Sequence, residues 1–389
     1  MARRTAYLNS RLQGFGATIF ATMSQLATET SSVNLGQGFP DTDGPSEIAQ
    51  AAMTAIAQGH NQYPPGPGIA SLREAVANHQ NLYYGLEYDS ANEVLITAGA
   101  TEAIAASVLA ICETGDEVIV FEPFYDAYAA AIAMAGARLV PIELHAPDWT
   151  FDPDELSRAV TGRTRAILIN SPHNPTGKVF SLPELQFIAS LCVEADLIAI
   201  TDEVYEHMIF SGSHRPLATF PGMSQRTISI SSAAKTYSFT GWKIGWVTGS
   251  AELVAAVRTV KQFLTYVNGA PFQVAIAYAL GEGRRFTDRV VPSIERQRQA
   301  LAAGLSQAGL EVMGGAGTYF LTTDIRSITD EDAMTFCLEL PRRIGVVAVP
   351  SSVFYQDPQR GRHLVRWTFC KRPEVIQDAV ERLAKLEIL

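Results

Sequence analysis

From about residue 92 the chain alternates short apolar, β-favouring runs with stretches of helical period. EVLIT (93–97) precedes TEAIAASVLAI, and EVIVF (117–121) precedes a second helical run that continues through Ala135. RAILIN (165–170) precedes SLPELQFIASLCVEA, which opens on a serine placed as a helix cap with proline in the first turn. LIAIT (197–201) and TISIS (227–231) follow. Runs that are apolar throughout predict strands buried on both faces. Such strands, separated by helices, predict an α/β fold with a mostly parallel sheet covered by helices. Beyond about residue 282 a charged helical stretch (284–307) leads to YFLTTDI, another helix, GVVAVP, HLVRWTF and a final amphipathic helix. That texture predicts a smaller α+β domain. The expected division is an N-terminal arm and part of the small domain in 1–40, a large domain in 41–282, and a C-terminal small domain in 283–389.

The balance of 30 Lys+Arg against 40 Asp+Glu gives a net charge of -10, which disfavours non-specific nucleic-acid binding. Local basic pockets for anionic ligands stay possible. Cys112, Cys192, Cys337 and Cys370 are far apart and form no CxxC pair. They read as reduced, mostly buried thiols and point to a cytoplasmic protein. The start, MARRTAYLNSRLQGFG, has basic residues without a continuous apolar run, so no secretory signal is expected. No apolar run is long enough to predict a membrane span.

Candidate chemistry gathers where the strands end. In open α/β sheets, ligands bind beyond the carboxyl ends of the strands. There the chain places Gly99-Ala100-Thr101, Glu122-Pro123-Phe124-Tyr125, NSPHNPTGK (170–178), Asp202-Glu203-Val204-Tyr205 and Ser232-Ala233-Ala234-Lys235. The first offers backbone N–H groups and a helix N-terminus to an anion. Tyr125 offers a flat face to a heteroaromatic ring. Asp202 can pair with a protonated ring nitrogen and keep it cationic. Asn174 and Tyr205 can hydrogen-bond a phenolic oxygen. Lys235 supplies an amine for a Schiff base, and Ser232 and Lys243 lie close enough in sequence to reach a phosphate.

The stretch SISSAAKTYSFTGWKIGW, with NSPHNPTGK and TDEVYE upstream, resembles class I/II aminotransferases of the fold-type I pyridoxal-phosphate superfamily. The likeness runs from VNLGQGFPD through NQYPPGPG, GATEA and EPFYDAY to LVRWTFCK, nearly the whole chain. It is nearest to the kynurenine aminotransferase/glutamine transaminase K-like branch, and within it to actinobacterial N-succinyldiaminopimelate aminotransferases. Lys243 stands where many class I enzymes place arginine, a departure shared with this branch. The resemblance implies that Lys235 carries pyridoxal 5′-phosphate, with Asp202 at the ring nitrogen and Tyr205 and Asn174 at the phenolic oxygen. It implies that Tyr125 stacks on the ring and that Ala100, Thr101, Ser232 and Lys243 hold the phosphate. Tyr63 is expected to join them from a neighbouring subunit, which implies a homodimer with shared active sites. Arg366 and Asn174, with the backbone of Gly36, are expected to bind the substrate α-carboxylate. The implied reaction moves an amino group between an L-amino acid and a 2-oxo acid, 2-oxoglutarate being the expected acceptor. N-succinyl-LL-diaminopimelate is the expected donor. Phe20 and Tyr319 leave open a kynurenine-, methionine- or glutamine-type donor.

Singly, these residues have plainer readings. A lysine in a small-residue turn is usually a surface group, an Asp after a strand is often a helix cap, and tyrosines in apolar runs usually pack. Arg366 is different, because an arginine inside an apolar strand needs a partner. Other constellations fail. GQGFPD and GPGIAS are not dinucleotide glycine fingerprints, there is no Walker loop and no GxSxG elbow. HExxH is absent and His207 and His214 lack common ligand spacing, so no metal site is expected. His173 in the HNP turn reads as structural. A β-eliminating lyase on cysteine conjugates is the nearest rival activity. A non-enzymatic regulator is disfavoured by the absence of an appended DNA-binding domain.

Overall fold

The computed structural model describes residues 7–16 and 18–386, so the first residues of the expected N-terminal arm lie outside the described residues. A short strand, β1 (Val33–Asn34), precedes seven that form the large sheet. These are β2 (Val94–Ala98), β3 (Glu117–Glu122), β4 (Arg138–Glu143), β5 (Thr164–Asn170), β6 (Ile198–Asp202), β7 (Thr227–Ser232) and β8 (Ile244–Thr248). Their order is β2-β8-β7-β6-β5-β3-β4. Only β8 runs against its neighbours, pairing antiparallel with β2 and β7.

The five expected strands are present, and the continuous apolar character of β3 and β5 has the anticipated cause, whereas β7 alternates isoleucine with buried threonine and serine. Along β3, Val118 and Val120 enter one core while Ile119 and Phe121 enter another on the opposite face. Along β5, Leu168 and Ile167 divide in the same way. The helices Gly99–Ile111, Asp126–Ala135 and Ala251–Lys261 contribute to the first core, and Leu182–Glu194 to the second. The expected serine cap is a complete capping box, because Ser181 and Glu184 each bond the other's backbone. Strands β4 and β8 were not singled out in the apolar pattern. β4 is an edge strand interrupted by Pro141, and β8 hides within the motif around Lys243.

A second sheet has the order β12-β13-β10-β9, from β9 (Glu311–Met313), β10 (Phe320–Asp324), β12 (Val349–Pro350) and β13 (Leu364–Thr368). GVVAVP is two strands instead of one. Its first half, β11 (Val346–Val347), pairs with β1, and its second half, β12, joins β13. The core beneath this sheet draws Met23 and Leu35 from the N-terminal part, and it also draws Val204, Tyr205 and Met208 from the segment after β6. That shared core carries β13, and Arg366 on it, to the rim of the large sheet.

One close approach decides the geometry of that rim. A Cβ on Gly245 of β8 would lie 2.7 Å from the carbonyl carbon of Gly99 and 2.9 Å from the nitrogen of Ala100. The strand therefore runs directly under the N-terminus of the helix Gly99–Ile111, and a side chain there must push the helix away. Gly245→Ala is expected to destabilise by about 1–3 kcal/mol, the cost of overpacking a tight site. It should also weaken cofactor binding, read by thermal melting and by titration of the cofactor-free protein. Unchanged values for both would show that the helix can shift freely.

Candidate active site

The carboxyl ends of β2, β5, β6 and β7 open on a cavity of about 370 Å³. Phe20, Ala100, Thr101, Tyr125, Asn174, Asp202, Tyr205, Ser232, Lys235, Lys243 and Arg366 all line it, as the sequence led one to expect. Gly36 does not line it but takes part through its carbonyl oxygen. Tyr63 is the exception. It is 82% exposed on this chain, edge-on to Tyr266, and is not among the residues around the cavity.

Lys235 lies in the single helical turn Ala233–Thr236 that follows β7. Its Nζ donates to the Gly38 carbonyl at 3.0 Å, and its own carbonyl accepts the Tyr319 hydroxyl at 2.5 Å. Burial is the main force lowering the amine below the ordinary lysine range, which enlarges its neutral, nucleophilic fraction. Asp202, at the end of β6, is buried, and its Oδ2 accepts the Tyr128 hydroxyl at 2.6 Å. Burial pushes this carboxyl up to about 6, against the pull of Tyr128, the Val204 N–H and the Lys235 charge. Asp202 makes no ion pair among the described residues.

Arg366 is buried on β13 and likewise has no carboxylate within ion-pair reach among the described residues. One terminal nitrogen donates to Asn174 Oδ1 and the other to the Gly36 carbonyl, both at 2.9 Å. The rings of Phe320, Phe354 and Phe20 surround the guanidinium, with centroids 4.1, 4.9 and 5.2 Å from its carbon. Its Nε is buried without a hydrogen-bond partner among the described residues. Burial lowers its pKa to about 10, leaving it cationic at neutral pH. A buried cation without an anion is costly, so this site is built for one that arrives.

Several residues that matter here carried little signal in the sequence. Tyr128 sits in the EPFYDAY motif but was not singled out there. Asn170 ends an apolar strand, and it joins two neighbours by accepting the Asn174 N–H at 2.7 Å and donating to the Asp202 carbonyl at 2.8 Å. The polar end of RAILIN was a usable clue. Gly38 and Phe320 come from distant segments; Gly38 lies in VNLGQGFPD without an assigned role, and Phe320 had no signal. His173 is buried against Thr176 and held neutral by burial, with a pKa near 3.

Behind β6 the fold also brings His207 beside His79 and Glu206, a grouping that sequence spacing did not suggest. The two imidazoles face each other through Nε2 atoms 2.8 Å apart, a distance that one proton satisfies. Glu206 accepts from the hydroxyls of Tyr84 and Ser231. These ligand atoms are thus already engaged in a hydrogen-bonded network. Because Ser231 adjoins Ser232, the network also braces the segment leading to Lys235.

The cavity therefore offers a helix N-terminus with Ser232 and Lys243, a buried unpaired carboxylate, a depressed lysine amine and an unpaired arginine. These complement in turn a phosphate, a ring nitrogen, a carbonyl carbon and a carboxylate, so the donor set fits pyridoxal 5′-phosphate with an amino-acid substrate. Fold and site together define a pyridoxal-phosphate-dependent transaminase. Residues 30–383 match the model of aminotransferase class I and II, and the chain belongs to that family. It is 52% identical to the probable N-succinyldiaminopimelate aminotransferase of Mycobacterium tuberculosis over 97% of this chain and 98% of that one. The solved structure of the N-succinyldiaminopimelate aminotransferase of that organism superposes with a TM-score of 0.95, covering 97% of this chain and 100% of the other. The chain is also 38% identical to the methionine aminotransferase of Escherichia coli (97% and 98% covered) and 35% identical to human kynurenine–oxoglutarate transaminase 3 (96% and 89%). No helix among the described residues is long and apolar enough to cross a membrane.

The raised carboxyl of Asp202 has a consequence for the cofactor-free protein. Its folded pKa, about 6, exceeds the ordinary 3.8, so ionising Asp202 opposes folding. That opposition is absent below about pH 4, grows between roughly 4 and 6, and is complete above the folded value. Asp202→Asn should therefore melt higher than wild type at pH 8 and lose that advantage towards pH 4. Melting curves of both cofactor-free proteins across this range provide the check, and an advantage independent of pH would contradict it.

Proposed function

We propose that this aminotransferase acts on N-succinyl-LL-diaminopimelate with 2-oxoglutarate as acceptor, as a homodimer in the cytoplasm. The observation that carries the catalytic reading is the pairing of Lys235 with an anion-less buried Arg366 across one cavity. The donor assignment is supported by 52% identity along almost the entire length of a relative bearing that name. The dimer is supported by an exposed apolar face that includes Tyr63, Phe263 and Tyr266, 82%, 82% and 51% exposed. Tyr63 on that face would complete the phosphate site of a second copy. The four cysteines are free and buried, in keeping with a reducing compartment. We read residues 1–40 with 283–389 as the small domain and 41–282 as the large one.

Pyridoxal phosphate, when bound, supplies an electrophilic carbonyl and an electron-withdrawing ring. Lys235 would hold it by its amine, and that amine is placed to take a proton from the substrate Cα as a general base. Asp202 would pair with the protonated ring nitrogen, and Tyr205 and Asn174 would hydrogen-bond the phenolic oxygen. Tyr125 would cover the ring. Ala100, Thr101, Ser232 and Lys243 would hold the phosphate. Arg366, aimed by Asn174 and Gly36, takes the α-carboxylate and so fixes Cα relative to Lys235. Both half-reactions use this one carboxylate site.

A second reading has its own support. The cavity adjoining the first past Phe20 and Tyr125 is lined by Phe15, Ile19, Met334, Val353 and Phe354, with Asp126 and no lysine or arginine among its lining residues. Such walls suit methionine- or kynurenine-like side chains better than distal carboxylates, unless the second subunit provides the cations.

An amino-donor panel with 2-oxoglutarate decides between them. The expected result is that the succinylated substrate has the highest kcat/KM, and preference for methionine or kynurenine would establish the second reading. Pyruvate and ammonia released without an oxo-acid acceptor would instead reveal β-elimination. Lys235→Ala should abolish transamination and the absorbance of lysine-bound cofactor. Arg366→Lys keeps charge but loses the planar fork, and should cost about 2–4 kcal/mol of transition-state stabilisation in both half-reactions. Stopped-flow measurement of each half-reaction tests this, and unchanged kcat/KM for both substrates would move the carboxylate site elsewhere.

A further inference from the structure

We propose that Tyr128 keeps Asp202 ionised and thereby keeps the proton on the cofactor's ring nitrogen. The inference rests on the reading above that Asp202 faces that nitrogen. Tyr128 lies in the helix Asp126–Ala135 and is buried, with its ring edge-on to Tyr125 at 5.8 Å. Its hydroxyl donates to Asp202 Oδ2 at 2.6 Å, whereas Oδ1 takes the Val204 N–H at the longer distance of 3.3 Å. An O–H···O⁻ contact of that length is in the charge-assisted range.

The other groups around Asp202 do not replace this donor. Glu203 follows it in sequence and opposes its ionisation, and the Lys235 amine is directed to the Gly38 carbonyl. Tyr125 and Tyr205 feel the Asp202 charge but make no hydrogen bond to its carboxylate among those described. Burial holds Tyr128 well above the ordinary phenol range, so it remains a protonated donor at any working pH.

A hydrogen bond to the charged form of a carboxylate favours that form. Without the phenol, Asp202 becomes a stronger base in the same dry surroundings. The proton then moves from the ring nitrogen to an oxygen of Asp202, with no proton gained or lost overall, and the ring withdraws electrons less strongly. Tyr128 acts through Asp202 and is a positioning residue. The plainer alternative is that Tyr128 only fills the core.

The test is to reconstitute wild type and Tyr128→Phe with pyridoxal 5′-phosphate carrying ¹⁵N in the ring, and to record the ring-nitrogen chemical shift. In wild type it should fall in the protonated range, and in Tyr128→Phe it should move towards neutral pyridine. The amine half-reaction should slow by about 10- to 100-fold, the span of one hydrogen bond to a charged group. Tyr84→Phe removes a half-buried phenol hydroxyl, donated to Glu206 at 2.7 Å outside the cavity, and should leave the ring shift unchanged. 3-Fluorotyrosine at position 128 preserves the shape and makes the phenol a stronger acid. It should keep the nitrogen protonated, and it supplies the comparison if Tyr128→Phe folds poorly. An unmoved shift in Tyr128→Phe, a nitrogen deprotonated by the fluorinated residue, or an equal shift in Tyr84→Phe overturns the proposal. A wild-type nitrogen that is unprotonated would overturn the placement of Asp202 itself, a separate and recognisable failure.

Discussion

Two charges buried without ion partners among the described residues, Asp202 and Arg366, are the constraint around which this molecule is organised. Each is costly to hold in a dry site, and each is only partly compensated by neutral groups. Asp202 has the Tyr128 hydroxyl and the Val204 N–H, while Arg366 has the amide oxygen of Asn174, the Gly36 carbonyl and three aromatic faces. Neutral donors and acceptors orient a charge without cancelling it. On the proposed assignment, a cationic ring and an anionic substrate would relieve the residual imbalance, so binding and preorganisation would share one origin.

The scaffold keeps those charges in register from opposite directions. Asp202 comes from the centre of a sheet buried on both faces, where β5 and β7 flank β6. Arg366 comes from the second sheet, paired across Thr322 and Val349, more than 160 residues later in the chain. Asn174 and Asn170 bridge them, since Asn170 bonds both the Asn174 backbone and the Asp202 carbonyl. Behind the cavity, Glu203 and Glu206 engage Thr201, His214, Tyr84 and Ser231, so the turn that carries Asp202 and Tyr205 is braced from its far side. A rigid rim of this kind is the condition for placing Cα against one lysine amine.

The same physics explains the composition of the neighbouring cavity. Its lining carries one carboxylate and no cation, whereas the first cavity holds Asp202, Lys235, Lys243 and Arg366, and the two meet at Phe20 and Tyr125. On the proposed assignment, these fixed charges would meet the reacting end of a substrate and the neighbouring cavity its far end. Shared chemistry among relatives named for different donors is consistent with that separation.

Much of this was legible in the amino-acid order. Five strand-like runs interspersed with helical periods pointed to a mostly parallel sheet, because strands covered on both faces carry apolar residues on both, although β7 alternates isoleucine with buried threonine and serine. The residues ending those runs determined the cofactor chemistry, since a lysine, an aspartate and a helix N-terminus at successive strand ends meet on one rim. Arg366 was conspicuous as a charge within an apolar strand. Other features depend on contacts between distant segments and were decided only by tertiary structure. Tyr128 was not singled out, because its hydroxyl partner lies 74 residues away. Gly38 lay in a motif without a role of its own until the chain brought its carbonyl to Lys235, and His79 joined His207 only through the packing of the helix Ala70–Tyr84. Sequence patterns record what a residue needs within its own element, whereas a hydrogen bond between elements leaves its trace only when both have been placed.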